Sequence, residues 1–512
     1  MGRVKRQRKR GGRRERGSEV ISEEVFKIAQ PINRYPLYEL LDADGVHLIH
    51  EKSLEVLSTI GIAFLDDPEA QDILTRHGVT LKDQIAYFDP DLIMEYVAKA
   101  PKQFTQLARN PENNLTIGGR HMTFAPVYGP PFVQDMERGR REATLEDFDN
   151  FVKLAYMSPH MHHSGGTIVE PTDEPVSTRH LDMVYSHIRY SDKAFMGSVT
   201  SGLNAADSVE LVRILFGAEA VAENPALVSL INVSSPRRFD DRMLGALRVY
   251  AEARQASLIS PFILSGAMSP VSAAGTLVQM NAETLAGIAF AQMCSAGTPV
   301  IYGSFQTIID LQSGAPVFGA PEAQIALYLS AQMARHYGLP FRSGGMFASS
   351  KVPDAQAAYE SVMAMLPAIH AGVNFVLHSA GWLEGGLVSG YEKFVLDCEL
   401  LGMYHKFLEG VDLSDEALAL ESIASVDPGG HHLGTDHTMR HFRTAFFRSP
   451  MFDYNSAEQW QLDGGLDSYE RANLEFKKRL KNYSAPKLDE GIDEALREFI
   501  ARRKTQLGSG DF

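Results

Sequence analysis

The sequence predicts an α/β fold of the (β/α)8 TIM-barrel kind, with an α-rich N-terminal segment and a C-terminal wrapping extension. Short β-branched or aromatic runs ending near Gly, Ser or Asn recur eight times, each followed by an amphipathic segment. Strands alternating with helices imply a parallel sheet joined by crossover helices. The repeating region, residues 119–411, is the size of one closed barrel, roughly 250 residues in typical cases. The rival is an open doubly wound sheet, marked by a Gly-rich fingerprint after its first strand. That place reads Tyr128-Gly129-Pro130-Pro131-Phe132, and two prolines cannot supply the amide hydrogens a pyrophosphate needs.

In chain order, residues 1–35 begin with a basic block, Arg3, Lys5, Arg6, Arg8, Lys9, Arg10, Arg13, Arg14 and Arg16. Such a block repels itself and buries nothing, so it reads as a flexible arm, either solvated or docking an acidic partner. No apolar region follows it as in a secretory signal. Residues 36–118 read as α-rich, with Leu48, Leu54, Leu57 and Ile60 at near-helical intervals and a second helix over Asp91–Ala98. The eight predicted strands are Met122–Val127, His163–Val169, Lys193–Val199, Leu227–Val233, Leu258–Leu264, Val300–Phe305, Phe341–Gly345 and Asn374–Ser379. Helices are predicted to begin near Thr144, Thr178, Ala205, Asp240, Ser272, Pro321, Pro353 and Ser389. Thr144 with Asp147 three residues on suggests a capping box, and proline suits a first turn. Ile325, Leu329 and Met333 form one helix face expected to cover the sheet. Residues 412–512 form the extension, mostly helical, ending in an amphipathic helix marked by Ile492, Leu496, Phe499 and Ile500; it is expected to wrap the barrel or reach a neighbouring subunit in a homo-oligomer.

Composition narrows function. With 44% hydrophobic and 22% charged residues the chain is ordinary globular protein, and no run of roughly 18 apolar residues suggests a membrane span. A net charge of −15 argues against nucleic acid as main partner. Cys294 and Cys398 are too few for a disulfide framework, so a cytoplasmic location is expected.

In a barrel of this kind chemistry sits at the C-terminal ends of the strands. That rule selects Tyr128 and Phe132 after the first strand, Glu170 after the second and Phe305 after the sixth. It adds Met346 and Phe347 after the seventh, and His378 and Trp382 after the eighth. The set is rich in aromatics and poor in paired carboxylates. Aromatic faces attract quaternary ammonium groups, which have no hydrogen bonds to donate. The bland alternative is that these rings pack beneath loops, that Glu170 before Pro171 is a turn residue, and that His378 is a hydrogen-bonded core histidine. Gly165-Gly166 and Gly344-Gly345 suggest close backbone approach. His431, His432, His437 and His441 fit no zinc motif, and Asp436 is the one carboxylate at ligand spacing, so no metal site is expected.

The loop sequences resemble the trimethylamine methyltransferase (MttB) superfamily. The matching segments are Gly129-Pro130-Pro131-Phe132-Val133 with Asp135; Gly165-Gly166 with Glu170-Pro171; and Gly314-Ala315-Pro316 with Phe318-Gly319-Ala320-Pro321-Glu322. Further matches are Ser350-Lys351 with Asp354, Gln356, Tyr359 and Glu360, and Gly430-His431-His432-Leu433-Gly434 with His437-Thr438 and Arg443. The likeness runs from about residue 36 to the end. It implies methyl transfer from a methylated amine to the cobalt of a corrinoid carried by a partner protein, with no cofactor bound tightly by this chain. Founding members act on trimethylamine with pyrrolysine in the barrel; here only standard residues occur, and the corresponding region reads Ser343-Gly344-Gly345-Met346-Phe347. Members without pyrrolysine are associated with quaternary amines, glycine betaine above all. A quaternary ammonium already carries its charge and leaves as a neutral amine, so no general acid or metal on this chain is required. Under this reading aromatics hold the ammonium, while His378 and amides near Gly344-Gly345 hold a carboxylate. The alternatives are another onium donor, such as carnitine, choline, proline betaine or a sulfonium, and a betaine-binding protein without chemistry.

Overall fold

The two longest β-branched runs form the two longest strands, Leu227–Val233 and Ala256–Ser265, parallel and in register from Val228 opposite Ala256 to Val233 opposite Pro261. Both are buried along most of their length, as strands covered on two faces must be. In this computed structural model, which describes residues 28–508, the sheet grows outward from that pair. On one side come Val300–Gly303, Phe341–Arg342, Phe375–Val376 and Thr123–Phe124, all parallel. On the other lies Phe195–Met196, also parallel. The basic block up to Arg16 lies outside the described residues.

Between Thr123–Phe124 and Phe195–Met196 runs the second predicted strand, His163–Val169. It makes an isolated parallel bridge, His163 to Ala194, in place of a ladder. The His162 and His163 amides donate to Phe124 O, the Ser164 amide to Ala194 O and the Met196 amide to Gly165 O, at 2.8–3.2 Å. Gly165 then turns to φ 103, which takes the chain out of extended geometry and ends the strand early. Other predicted strands shorten similarly: Phe341–Gly345 keeps two residues because Gly344 and Gly345 both adopt positive φ.

Helix starts follow their capping residues. Thr144 and Asp147 form the expected capping box, while Asp240 and Ser272 cap their helices and Pro321 opens its own. Three starts shift. The helix expected near Ala205 begins at Gly202, capped by Ser201. The one expected at Pro353 begins at Ala355, because Asp354 accepts the Ala357 amide. The last begins at Tyr391, because Ser389 lies in the strand Val388–Gly390 that pairs with Phe132–Asp135. Leu329 and Met333 are buried as expected, but Ile325 is 44% exposed.

Residues 36–118 contain more β-structure than the sequence suggested. The helix Ala43–Glu55 runs into a π-helical turn, Val56–Ile60. Leu54 and Leu57 are buried, whereas Leu48 and Ile60 face solvent. Ile62–Phe64, Thr80–Lys82 and Ile85–Tyr87, each three residues long, join Arg238–Phe239 in a small sheet. Runs that short show no alternation to read.

At the C-terminal end, Glu490–Leu507 buries Leu496, Phe499 and Ile500. Arg503 and Lys504 bond Asp207 and Asp182, each at 2.6 Å. The helix Ser468–Lys481 stacks Phe476 on Tyr391, centroids 5.0 Å apart. Among the described residues no helix is long and apolar enough to cross a membrane.

One buried ion pair ties this fold to the sheet mouth. Lys393 Nζ lies 2.6 Å from Asp397, one helical turn on, and bonds Ser361 Oγ at 2.9 Å. Asp397 accepts the Gly381 amide at 2.9 Å, and burial pushes its carboxyl up to about 6 despite the ammonium beside it. Lys393→Met, which strands that carboxylate, should cost about 3–5 kcal/mol in denaturant unfolding, and adding Asp397→Leu should recover most of it. A single-variant loss within about 0.5 kcal/mol, as for a surface substitution, would show that the pair does not hold this region together.

Candidate functional site

Four of the eight residues selected from sequence meet at the C-terminal ends of the strands. Phe305, Phe347, His378 and Trp382 are in mutual ring contact: Phe305–Phe347 at 5.4 Å, Phe347–Trp382 at 5.0 Å and His378–Trp382 at 4.6 Å. Phe318 completes the box, 5.0 Å from Trp382 and 5.6 Å from Phe347. Phe305 is the partly exposed ring of the group, and the others are buried. Trp382 is held by its own turn: Gly386, at φ 94, lies so close that a Cβ there would sit 2.4 Å from the indole. Only glycine fits.

The sequence reading missed Arg342, which stands beside this box. Its guanidinium is buried, 5.1 Å from the centre of the Phe305 ring. It donates to Ser260 Oγ at 2.9 Å, to Ser304 O at 3.4 Å and to His378 Nε2 at 2.9 Å. Among the described residues no carboxylate pairs with it, and burial brings it down to about 9. Its Nε–H and the indole N–H of Trp382 are both buried without an acceptor among the described residues. Two unused donors and an uncompensated cation in one place favour an anionic ligand. The signal was present in the sequence: an arginine inside the predicted strand Phe341–Gly345 is anomalous for a strand buried in a sheet.

His378 is built to hold that arginine. It has φ 64, a left-handed conformation uncommon for a residue with a side chain. The Tyr128 amide points at its Nδ1 from 3.2 Å while Arg342 points at Nε2. Burial, and then the Arg342 charge, hold its ring well below its ordinary value, so it stays neutral and accepting. A neutral imidazole accepts at one nitrogen only; with Nε2 as that acceptor, His378 orients the guanidinium rather than donating from that side to a carboxylate. Gly345 carries the strand-seven loop past it: a Cβ there would meet Leu377 O at 2.5 Å.

The remaining selected residues are placed differently. Tyr128 adjoins the box through its amide, and burial pushes its phenol up to about 12. Met346 is fully buried; its amide donates to His378 O at 2.9 Å, and its carbonyl accepts from Lys393 at 3.5 Å. Phe132 stands apart from these rings, with the Arg140 guanidinium 3.7 Å above its face. Glu170 pairs with Arg179 at 2.5 Å.

A lone buried cation costs solvation free energy in the folded protein, so Arg342→Met should leave the ligand-free protein as stable or raise stability by up to about 4 kcal/mol. Thermal unfolding checks this. A large drop in Tm would mean that Arg342 is a structural residue.

Comparison with known proteins gives a consistent picture. A glycine betaine methyltransferase of Desulfitobacterium hafniense (strain Y51) is 44% identical over 474 residues, covering 92% of this chain and 98% of that protein. A proline betaine:corrinoid methyltransferase of Eubacterium limosum is 28% identical over 92% of this chain and 98% of its own length. Trimethylamine methyltransferase MttB of D. hafniense (strain DSM 10664 / DCB-2) is 29% identical over 91% and 94%. Among solved structures, the hydroxylamine MtmB complex superposes with a TM-score of 0.50 at 11% identity, over 89% of this chain and 91% of that one, a likeness of α/β fold. The model of the family described as trimethylamine methyltransferase (MTTB) matches residues 6–508, and the chain belongs to that family.

Proposed function

We propose that this protein transfers a methyl group from a quaternary amine, glycine betaine foremost, to the cobalt(I) of a corrinoid carried by a partner protein. The observation that carries this reading is the adjacency of an aromatic box to a buried guanidinium that no carboxylate among the described residues pairs with. A trimethylammonium group offers no N–H and is held by ring faces; a carboxylate a few bonds away takes the free donors of Arg342 and Trp382. The donor then carries both charges, as a betaine does. Carnitine and proline betaine share that pattern, whereas choline or a sulfonium without a carboxylate leaves Arg342 uncompensated.

The chemistry asks little of acid–base groups. As the methyl carbon leaves, the C–N bond breaks with its electron pair staying on nitrogen, and a neutral tertiary amine departs. The corrinoid, a co-substrate, supplies the nucleophile. What the chain contributes is orientation of the methyl toward the strand ends and exclusion of water. The relatives named for glycine betaine and proline betaine:corrinoid transfer support the same assignment.

The same reading takes the sheet as a closed (β/α)8 barrel, with His162–Gly165 as its eighth stave, inside residues 119–411. The segments 36–118 and 412–512 are flanking additions, and the protein works in the cytoplasm as a homo-oligomer with no tightly bound cofactor.

Purified protein incubated with glycine betaine and a cobalt(I) corrinoid protein should give methylated corrinoid and dimethylglycine in equal amounts. Arg342→Met should lower kcat/KM for betaine by roughly 30-fold or more, the cost of stranding a buried charged partner. Trp382→Leu should cost up to about 2 kcal/mol, the scale of a desolvated cation–π contact. Betaine-dependent thermal stabilisation without methyl transfer would identify a binding protein instead. Choline outperforming betaine would remove the carboxylate from the assignment.

A further inference from the structure

We propose that Glu416, His437 and His441 form a binding site for a divalent transition metal, with zinc the best match. The site stands apart from the aromatic box and does not depend on the methyl-transfer reading. His437 and His441 are one turn apart on the helix Asp436–His441, so their rings share a face, centroids 4.8 Å apart. Both turn Nε2 onto one residue of another short helix, Asp415–Leu418: His441 lies 2.7 Å from Glu416 Oε1, and His437 lies 3.0 Å from Glu416 O. One ligand atom from each side chain falls within 4.8 Å of the others.

Metal–ligand bonds of about 2.0–2.2 Å set ligand atoms roughly 3.4 Å apart, so His441 and Glu416 must part slightly and the wider separation must close by about 1 Å or more. Partly exposed side chains can do this without moving the backbone. Two imidazole nitrogens and one carboxylate oxygen make a borderline-soft donor set that suits zinc over magnesium or calcium, and solvent completes the coordination. Arg440 also bonds Glu416 Oε1, at 2.9 Å, and is the cation a metal must displace or share with. The sequence pattern had offered Asp436; the fold brings Glu416 from some twenty positions upstream instead.

The surroundings give such a site work to do. Neither helix buries a single residue, nor does Leu420–Ala424 between them. Leu420, Leu433 and Phe446 nearby are 71%, 77% and 86% exposed. Elements without a core take their order from crosslinks, and a metal joining two of them is one of the strongest available.

Untagged full-length protein, stripped with chelator and desalted, should bind one zinc ion per chain by calorimetry and retain it through a second desalting. His437→Ala and His441→Ala should each abolish retention. Glu416→Gln should weaken binding by more than the roughly tenfold that loss of a mere outer-shell partner costs. A His431→Ala/His432→Ala control should behave as the parent. Zinc should slow proteolysis within residues 411–447 in the parent and leave the His437 and His441 variants unchanged. These side chains bury nothing, so an unchanged Tm of the stripped variants excludes misfolding. Failure of the parent to retain zinc, or equal retention by the His437 and His441 variants, overturns the proposal.

Discussion

Arg342 holds a positive charge inside the sheet, where desolvation opposes it and no acid among the described residues offsets it. Keeping it there requires oriented dipoles: the Ser260 hydroxyl, the Ser304 carbonyl and the accepting nitrogen of His378. That last contact accounts for other local features. His378 takes a left-handed conformation, the Tyr128 amide faces its second nitrogen, and Gly345 lets the strand-seven loop pass close to its backbone. Strain and an uncompensated charge occur together, as they do at sites shaped for a ligand rather than for stability.

The aromatic box depends on the same framework. Phe347 sits on a loop, and Trp382 opens the two-residue strand Trp382–Leu383; such short elements would be mobile on their own. The Lys393–Asp397 pair fixes both, one partner reaching the Met346 carbonyl and the other the Gly381 amide. In the proposed reaction this rigidity has a purpose: with no acid, base or metal required of the chain, placement of the methyl group is what remains for the protein to supply.

The extension divides into two physically different parts. The helices Ser468–Lys481 and Glu490–Leu507 have apolar faces and lie on other helices through buried rings and ion pairs. The stretch that precedes them, residues 411–447, carries exposed apolar side chains, and its polar cross-links centre on Glu416. Patterning alone does not separate a helix that lies on a core from one that waits for a metal or a partner.

Local sequence determined much about this protein. The β-branched run Leu227–Val233, the Thr144 capping box and the helix at the C-terminal end are short-range features set by propensity and periodicity, and they stand as read. Phe305, Phe347, His378 and Trp382 were legible because strand ends in an α/β repeat point to one place. Tertiary structure decided the rest. It set Phe132 apart beneath Arg140 and paired Glu170 with Arg179, since long side chains choose partners only once the chain has folded. It brought Phe318 into the box and Glu416 to the histidines across distances no spacing rule covers. Arg342 is the clearest case: the sequence shows an arginine in a predicted strand, but only the folded environment shows that no carboxylate among the described residues reaches it. An unpaired charge is a property of the whole surroundings, and no local window contains them.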